Sequence, residues 1–269
     1  MEAQIQALVE DIHSVLSATP PIDPFFIAAE EDIEIAQISN SKNFHGRIEF
    51  LRDVGKFVIY CPENQTCFPN PAIRFSVAHE LGHYFIEDHR KDLLNGRSHN
   101  SRPCFMHSNP QEKEADEFAG RLLIPDNVIL PHIKSRGYLS LDQIKQIANQ
   151  CSTSLTATGI RYVKIASQPS AILISEDGWK RIYWPSPETA ALGFGGLGKD
   201  YVPPNSITAK AAKTHVPEEG CANTAMWFST RYAYAEIWEE ACPLGNTGMT
   251  LTLLSFTIKK KGEGEWDGF

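Results

Sequence analysis

No stretch of the 269-residue chain approaches the roughly 18–20 consecutive apolar residues that cross a bilayer, so no membrane-spanning helix is expected. Positive charge is scarce. Lys and Arg number 25 against 33 Asp and Glu, a net charge of −8, which argues against an extended phosphate-binding surface. Cysteines number six, scattered at positions 61, 67, 104, 151, 221 and 242. A chain this long can bury a core without disulfide staples, so free thiols in a reducing compartment are expected. The opening residues, Met1-Glu2-Ala3-Gln4, lack the basic segment and apolar core of a secretory leader, which predicts a cytoplasmic protein. There is no internal repeat and no low-complexity tract. What is present, 42% hydrophobic and 22% charged residues, is ordinary for a globular chain and excludes wholesale disorder.

The periodicities place elements along the chain. Ile5, Leu8, Val9, Ile12, Val15 and Leu16 recur at helical spacing and predict a helix over 4–17, stopped by Pro20-Pro21. From Phe25 to Tyr60 short β-like runs follow, with Val54-Gly55 as a turn, and predict a small antiparallel sheet. Helical character resumes from Ala72 to about Asp88. After a polar loop, Asn109-Pro110 opens a helix that ends at Pro125, Asn suiting the cap and Pro the first helical position. Shorter helices are expected at 127–135 and 141–150, the second with Ser140 and Gln143 as a capping box, and another after Ser154. Beyond Gln168-Pro169, residues 171–184 read as a hairpin about Asp177-Gly178. The expected fold class is α+β. A mainly helical domain with the small sheet occupies 1–166, and a smaller α/β domain occupies 167–269.

The densest chemical signal is His79-Glu80-Leu81-Gly82-His83. On a helix, residues four apart share a face, so both imidazoles can reach one metal ion, and Glu80 on the rim can take a proton from a water held there. This HExxH spacing is the zinc metallopeptidase arrangement; its plain counterpart is two helix histidines that merely happen to be four apart. A third ligand has two candidates. His89 stands where a longer HExxHxxGxxH pattern wants a third His, but Ile86 replaces the Gly that turns the helix. On a continuing helix His89 lies about 240° round from His83 and faces away. The other candidate is Glu112, in Glu112-Lys113-Glu114-Ala115-Asp116. Asp116, one turn on, would hold the tautomer of a ligand histidine, while small Ala115 and Ala119 permit close helix approach. Glu114, about 200° from Glu112, is expected to point away. The plain counterpart here is a solvated Glu/Lys face.

Residues 74–84, Arg-Phe-Ser-Val-Ala-His-Glu-Leu-Gly-His-Tyr, and residues 112–125, Glu-Lys-Glu-Ala-Asp-Glu-Phe-Ala-Gly-Arg-Leu-Leu-Ile-Pro, resemble the ImmA/IrrE metallopeptidases. The resemblance spans about 45–165. It implies Zn2+ on His79, His83 and Glu112, with Glu80 catalytic. It also implies a cytoplasmic protease that cleaves a helix-turn-helix transcriptional repressor, encoded nearby, to derepress stress, DNA-damage or mobile-element genes. Asp116 departs from the Asn frequent in the family, though either accepts an imidazole N–H. Some members carry a GAF-like C-terminal sensor, which would make 167–269 the place where a nucleic-acid or small-molecule signal acts.

Three further features are open. Cys104, in the loop between the two motifs, is either a small packing residue or a thiolate that fills the fourth zinc position at rest. In the latter case Cys104→Ala raises basal proteolysis. Tyr84, His99 and His107 are nominal oxyanion-stabilising groups. Residues 141–164 have the outline of a helix-turn-helix, which supports the alternative of a DNA- or repressor-binding regulator without proteolysis. Its second helix, however, offers only Arg161 and Lys164 as cations. In 167–269, Lys210–Lys213 and Lys259–Lys261 are local basic spots, with Trp179, Tyr183 and Trp184 expected in a core or interface.

Overall fold

Helix α1 (Glu2–Val15) turns Ile5, Val9 and Ile12 to one buried face, as the 3–4 spacing requires. These coordinates are a computed structural model, which describes residues 1–38, 46–63, 70–97, 99–101, 109–136, 139–198, 200–228 and 235–258. Two compact units emerge, one of Met1–Ile129 with Gln146–Thr158, the other of Leu130–Lys145 with Gly159–Phe269.

In the first unit, α2 (Pro24–Glu30) follows α1 where strand character was expected. The reason is local: Asp23 caps it, its carboxylate accepting from Phe25 N at 3.0 Å, and Pro24 takes the first helical position. Strands β1 (Glu34–Ile38), β2 (Gly46–Leu51) and β3 (Lys56–Pro62) then form a sheet, with Gly55 at φ 68° turning β2 into β3. The sheet is mixed rather than wholly antiparallel, since β1 runs parallel to β3. Helix α3 (Pro71–Phe85) is capped by Asn70 and buried on nearly every side from Ile73 to Tyr84. It stops at Ile86, whose extended ψ of 114° separates it from α4 (Glu87–Leu94). Strand β4 (His99–Ser101) completes the sheet order β1-β3-β2-β4.

Helix α5 (Pro110–Leu123) begins as its sequence predicts, with Asn109 accepting from Gln111 N at 3.1 Å. It crosses α3 closely. A Cβ on Gly82 would lie 3.1 Å from Ala115 Cα and 3.2 Å from Phe118, so hydrogen at position 82 sets the helix spacing. His13 Nε2, 3.0 Å from Leu122 O, ties α1 to the far end of α5.

Helices α6 (Asp126–Arg136), α7 (Leu141–Cys151) and α8 (Leu155–Ile165) follow. The expected capping box at the start of α7 is formed in both directions: Ser140 N donates to Gln143 Oε1, and Gln143 N to Ser140 Oγ. The second unit then builds a five-stranded antiparallel sheet. Strands β5 (Ser170–Glu176) and β6 (Trp179–Pro185) make the predicted hairpin, with Asp177 and Gly178 both at positive φ. Short α9 (Pro187–Thr189), α10 (Ile207–Thr214), β7 (Glu218–Asn223), α11 (Thr224–Trp227), β8 (Ala235–Pro243) and β9 (Met249–Ile258) complete it in the order β6-β5-β9-β8-β7. One sheet face carries Leu173, Ile237, Leu254 and Phe256 into a core with Phe194, Trp227 and Phe228. The fold class is α+β. No helix among the described residues is long and apolar enough to cross a membrane.

Candidate metal centre

Helix α3 presents His79 and His83 one turn apart, both buried, with their Nε2 atoms 3.2 Å apart. Helix α5 brings Glu112 to the same point. Its carboxylate oxygens lie 3.3 Å from His79 Nε2 and 3.5 Å from His83 Nε2. Among the described residues this trio offers one ligand atom each, all within 4.8 Å of one another. Three corners of a tetrahedron with bonds of roughly 2.0–2.2 Å to zinc stand about 3.3–3.6 Å apart. The imidazole nitrogens, 3.2 Å apart with one carboxylate oxygen near each, stand close to that figure, so the donor set suits a small divalent cation in chemistry and approximate size. The sequence-predicted trio is therefore brought together.

Asp116, one helical turn beyond Glu112, places Oδ1 2.8 Å from His79 Nδ1. A carboxylate cannot donate, so His79 Nδ1–H does, and its Nε2 faces Glu112 and His83. Burial alone would hold the His79 imidazole neutral. The bonds to Asp116 and Glu112, together with the field of Glu80, override it and push the pKa up to about 10. The pocket is thus strongly negative and organised for positive charge.

Glu80 is fully buried beside this cluster. Its carboxylate lies against the backbone of Gly46 at the start of β2, where a Cβ would stand 2.6 Å from Oε1. A side chain at position 46 would oblige the Glu80 carboxylate to shift.

His89 corrects the sequence reading. It is buried, not turned outward; its Nδ1 is 3.2 Å from His83 Nδ1 and its Nε2 is 2.9 Å from Glu114 Oε2. The expectation assumed one uninterrupted helix. The break at Ile86 redirects α4 and returns His89 to the back of His83, and Glu114 meets it there rather than pointing into solvent. Tyr84 is engaged elsewhere, its hydroxyl donating to Glu31 Oε2 at 3.0 Å with Arg90 over its ring. Cys104 and His107 lie outside the described residues, as does the side chain of His99. His89, Glu114 and Gly46 are site residues that sequence reasoning missed. The β-branched Ile86 at the expected helix end was the one signal that could have exposed the first two.

Residues 64–161 match the model of a peptidase family described as the IrrE N-terminal-like domain, a span that contains His79, Glu80, His83, Glu112 and Asp116. No curated protein matches the chain. Among solved structures, a Mycobacterium tuberculosis transcriptional regulator superposes with a TM-score of 0.59 over 94% of this chain and 76% of its own, at 12% identity, a likeness of fold. Residues 64–161 are accordingly similar to the IrrE N-terminal-like peptidase domain, in keeping with the ImmA/IrrE resemblance of the two helix motifs.

Proposed function

We propose that the protein is a zinc-dependent endopeptidase that cleaves a helix-turn-helix transcriptional repressor in the cytoplasm. The observation that carries this reading is the convergence of His79, His83 and Glu112 at spacings suited to one tetrahedral ion, with buried Glu80 alongside. His79, His83 and Glu112 would hold the ion, and Asp116 orients His79. Zinc in such a site acts as a Lewis acid toward water and the scissile carbonyl. Glu80 takes the proton of the attacking water and delivers it to the leaving amine.

The substrate assignment rests on the ImmA/IrrE resemblance, and the likeness in fold to a Mycobacterium tuberculosis transcriptional regulator supports a regulatory setting. The C-terminal segment, 167–269, is then the regulatory part, where a nucleic-acid or small-molecule signal acts. Direct DNA reading by residues 141–164 is disfavoured. Arg161 is only 3% exposed, and Lys164 Nζ stands 5.3 Å from the centre of the Trp184 ring, so the two expected cations are turned to the protein itself.

The test is co-expression with the repressor of the neighbouring reading frame, followed by cleavage with purified components. The unaltered chain should cut the repressor, while Glu80→Gln and chelator-treated protein should not. Cleavage that persists in Glu80→Gln contradicts the assigned mechanism.

A further inference from the structure

Resting on the zinc reading above, we propose that His89 and Glu114 are positioning residues that fix the tautomer of His83 through a two-step hydrogen-bond relay. His89 Nε2 lies 2.9 Å from Glu114 Oε2, and His89 Nδ1 lies 3.2 Å from His83 Nδ1. The carboxylate sets the polarity of the whole chain. A carboxylate oxygen in that position accepts, so the His89 proton is held on Nε2 and its Nδ1 presents a lone pair. That lone pair accepts from His83 Nδ1–H. His83 Nε2 is then left deprotonated and aimed at Glu112 and the His79 Nε2 atom.

With the reverse arrangement, His89 Nε2 would set a lone pair against the carboxylate, and His83 Nε2 would carry a proton where a cation needs electrons. Burial magnifies the difference, since His83 and His89 are both essentially sealed from water.

The two ligand imidazoles are therefore oriented by different means. His79 is held directly by Asp116, whereas His83 is held through a second imidazole by Glu114. Both carboxylates come from α5, the helix that also supplies Glu112. The break at Ile86 makes the arrangement possible by swinging α4 round so that His89 backs onto His83. An outer partner of a metal-bound histidine usually changes metal affinity about 10- to 100-fold when removed, because ring orientation and basicity are lost with it.

The test uses the full chain. Zinc affinity is measured by competition with a chromophoric chelator for the unaltered protein, His89→Phe, Glu114→Ala and Glu114→Gln. In parallel, long-range proton–nitrogen NMR reads the His83 tautomer in the zinc-free protein. His89→Phe and Glu114→Ala should weaken zinc binding about 10- to 100-fold. Glu114→Gln, whose amide oxygen still accepts from His89, should recover most of the loss. His83 should carry its proton on Nδ1 in the unaltered chain and lose that preference in Glu114→Ala.

Glu114 is partly exposed, so its variants should fold even where His89→Phe does not, and circular dichroism checks this. A folded Glu114→Ala with unaltered zinc affinity, or a His83 tautomer indifferent to Glu114, overturns the relay. Failure of the unaltered chain to bind zinc instead overturns the metal centre, while the tautomer measurement still decides the relay.

Discussion

Gly46 and Glu80 are in direct backbone-to-carboxylate apposition: a methyl group on Gly46 would lie 2.6 Å from Glu80 Oε1 and 3.1 Å from Cγ. Strand β2 and helix α3 are thereby coupled at the residue proposed for the proton transfer. Gly46→Ala should displace the Glu80 carboxylate while leaving the three ligands in place. Peptidase turnover is expected to fall by as much as about 100-fold, the scale of a 1 Å misplacement of a catalytic group. Zinc affinity should be unchanged, and parallel kinetic and metal titrations would separate the two effects. Full turnover in the variant would show that Glu80 adapts without cost.

The second contact of this kind is between helices. Gly82→Ala puts a methyl group 3.1 Å from Ala115 Cα, which is backbone and cannot swing aside. Overpacking of this type costs about 1–3 kcal/mol, so chemical denaturation should show that loss. The shift should also move α5, and with it Glu112, relative to His79 and His83.

Asp116→Ala removes the acceptor of His79 Nδ1–H. Zinc affinity should drop about 10- to 100-fold, and Asp116→Asn, which still accepts, should fall less. Equal affinities for all three proteins would remove Asp116 from the account.

In the second unit Glu240 gives a pH prediction. Burial raises its carboxyl pKa, and the nearby Glu219 and Asp142 add to the effect against the opposing bond from Leu141 N, which is 2.8 Å from Oε2. A carboxyl raised on folding favours the native state while protonated and loses that contribution as pH climbs through the raised value. Glu240→Gln should therefore be more stable than the unaltered chain at about pH 8 and show little advantage near pH 4. Thermal melts of the pair at both values check the sign, and a variant that is less stable at the higher pH contradicts it.

Much of this architecture was readable from local patterns. Asn109-Pro110 announced α5, Ser140 and Gln143 announced the start of α7, and Asp177-Gly178 announced the β5–β6 hairpin, because caps and tight turns are decided within a few residues. The convergence of His79, His83 and Glu112 was readable for a related reason: two pairs at four-residue spacing, His79 with His83 and Glu112 with Asp116, each fix one helix face. What escaped was non-local. The parallel pairing of β1 with β3 depends on chain reversal between elements, which periodicity does not encode. His89 escaped because its orientation depends on one extended residue, Ile86, inside an otherwise helical run. Glu114 escaped with it: at about 200° round the helix from Glu112 it meets His89, which only the break at Ile86 brings there.

The most direct measurement of the central claim is zinc stoichiometry and affinity in chelator-stripped, reconstituted protein, for the unaltered chain beside Glu112→Ala. Glu112 stands 33 positions from His79 in sequence yet within ligand distance of it in space, so it tests the convergence itself. One zinc per chain, lost or greatly weakened in a folded Glu112→Ala, is the predicted result. Undiminished zinc binding by that variant, or none by the unaltered chain, would contradict it.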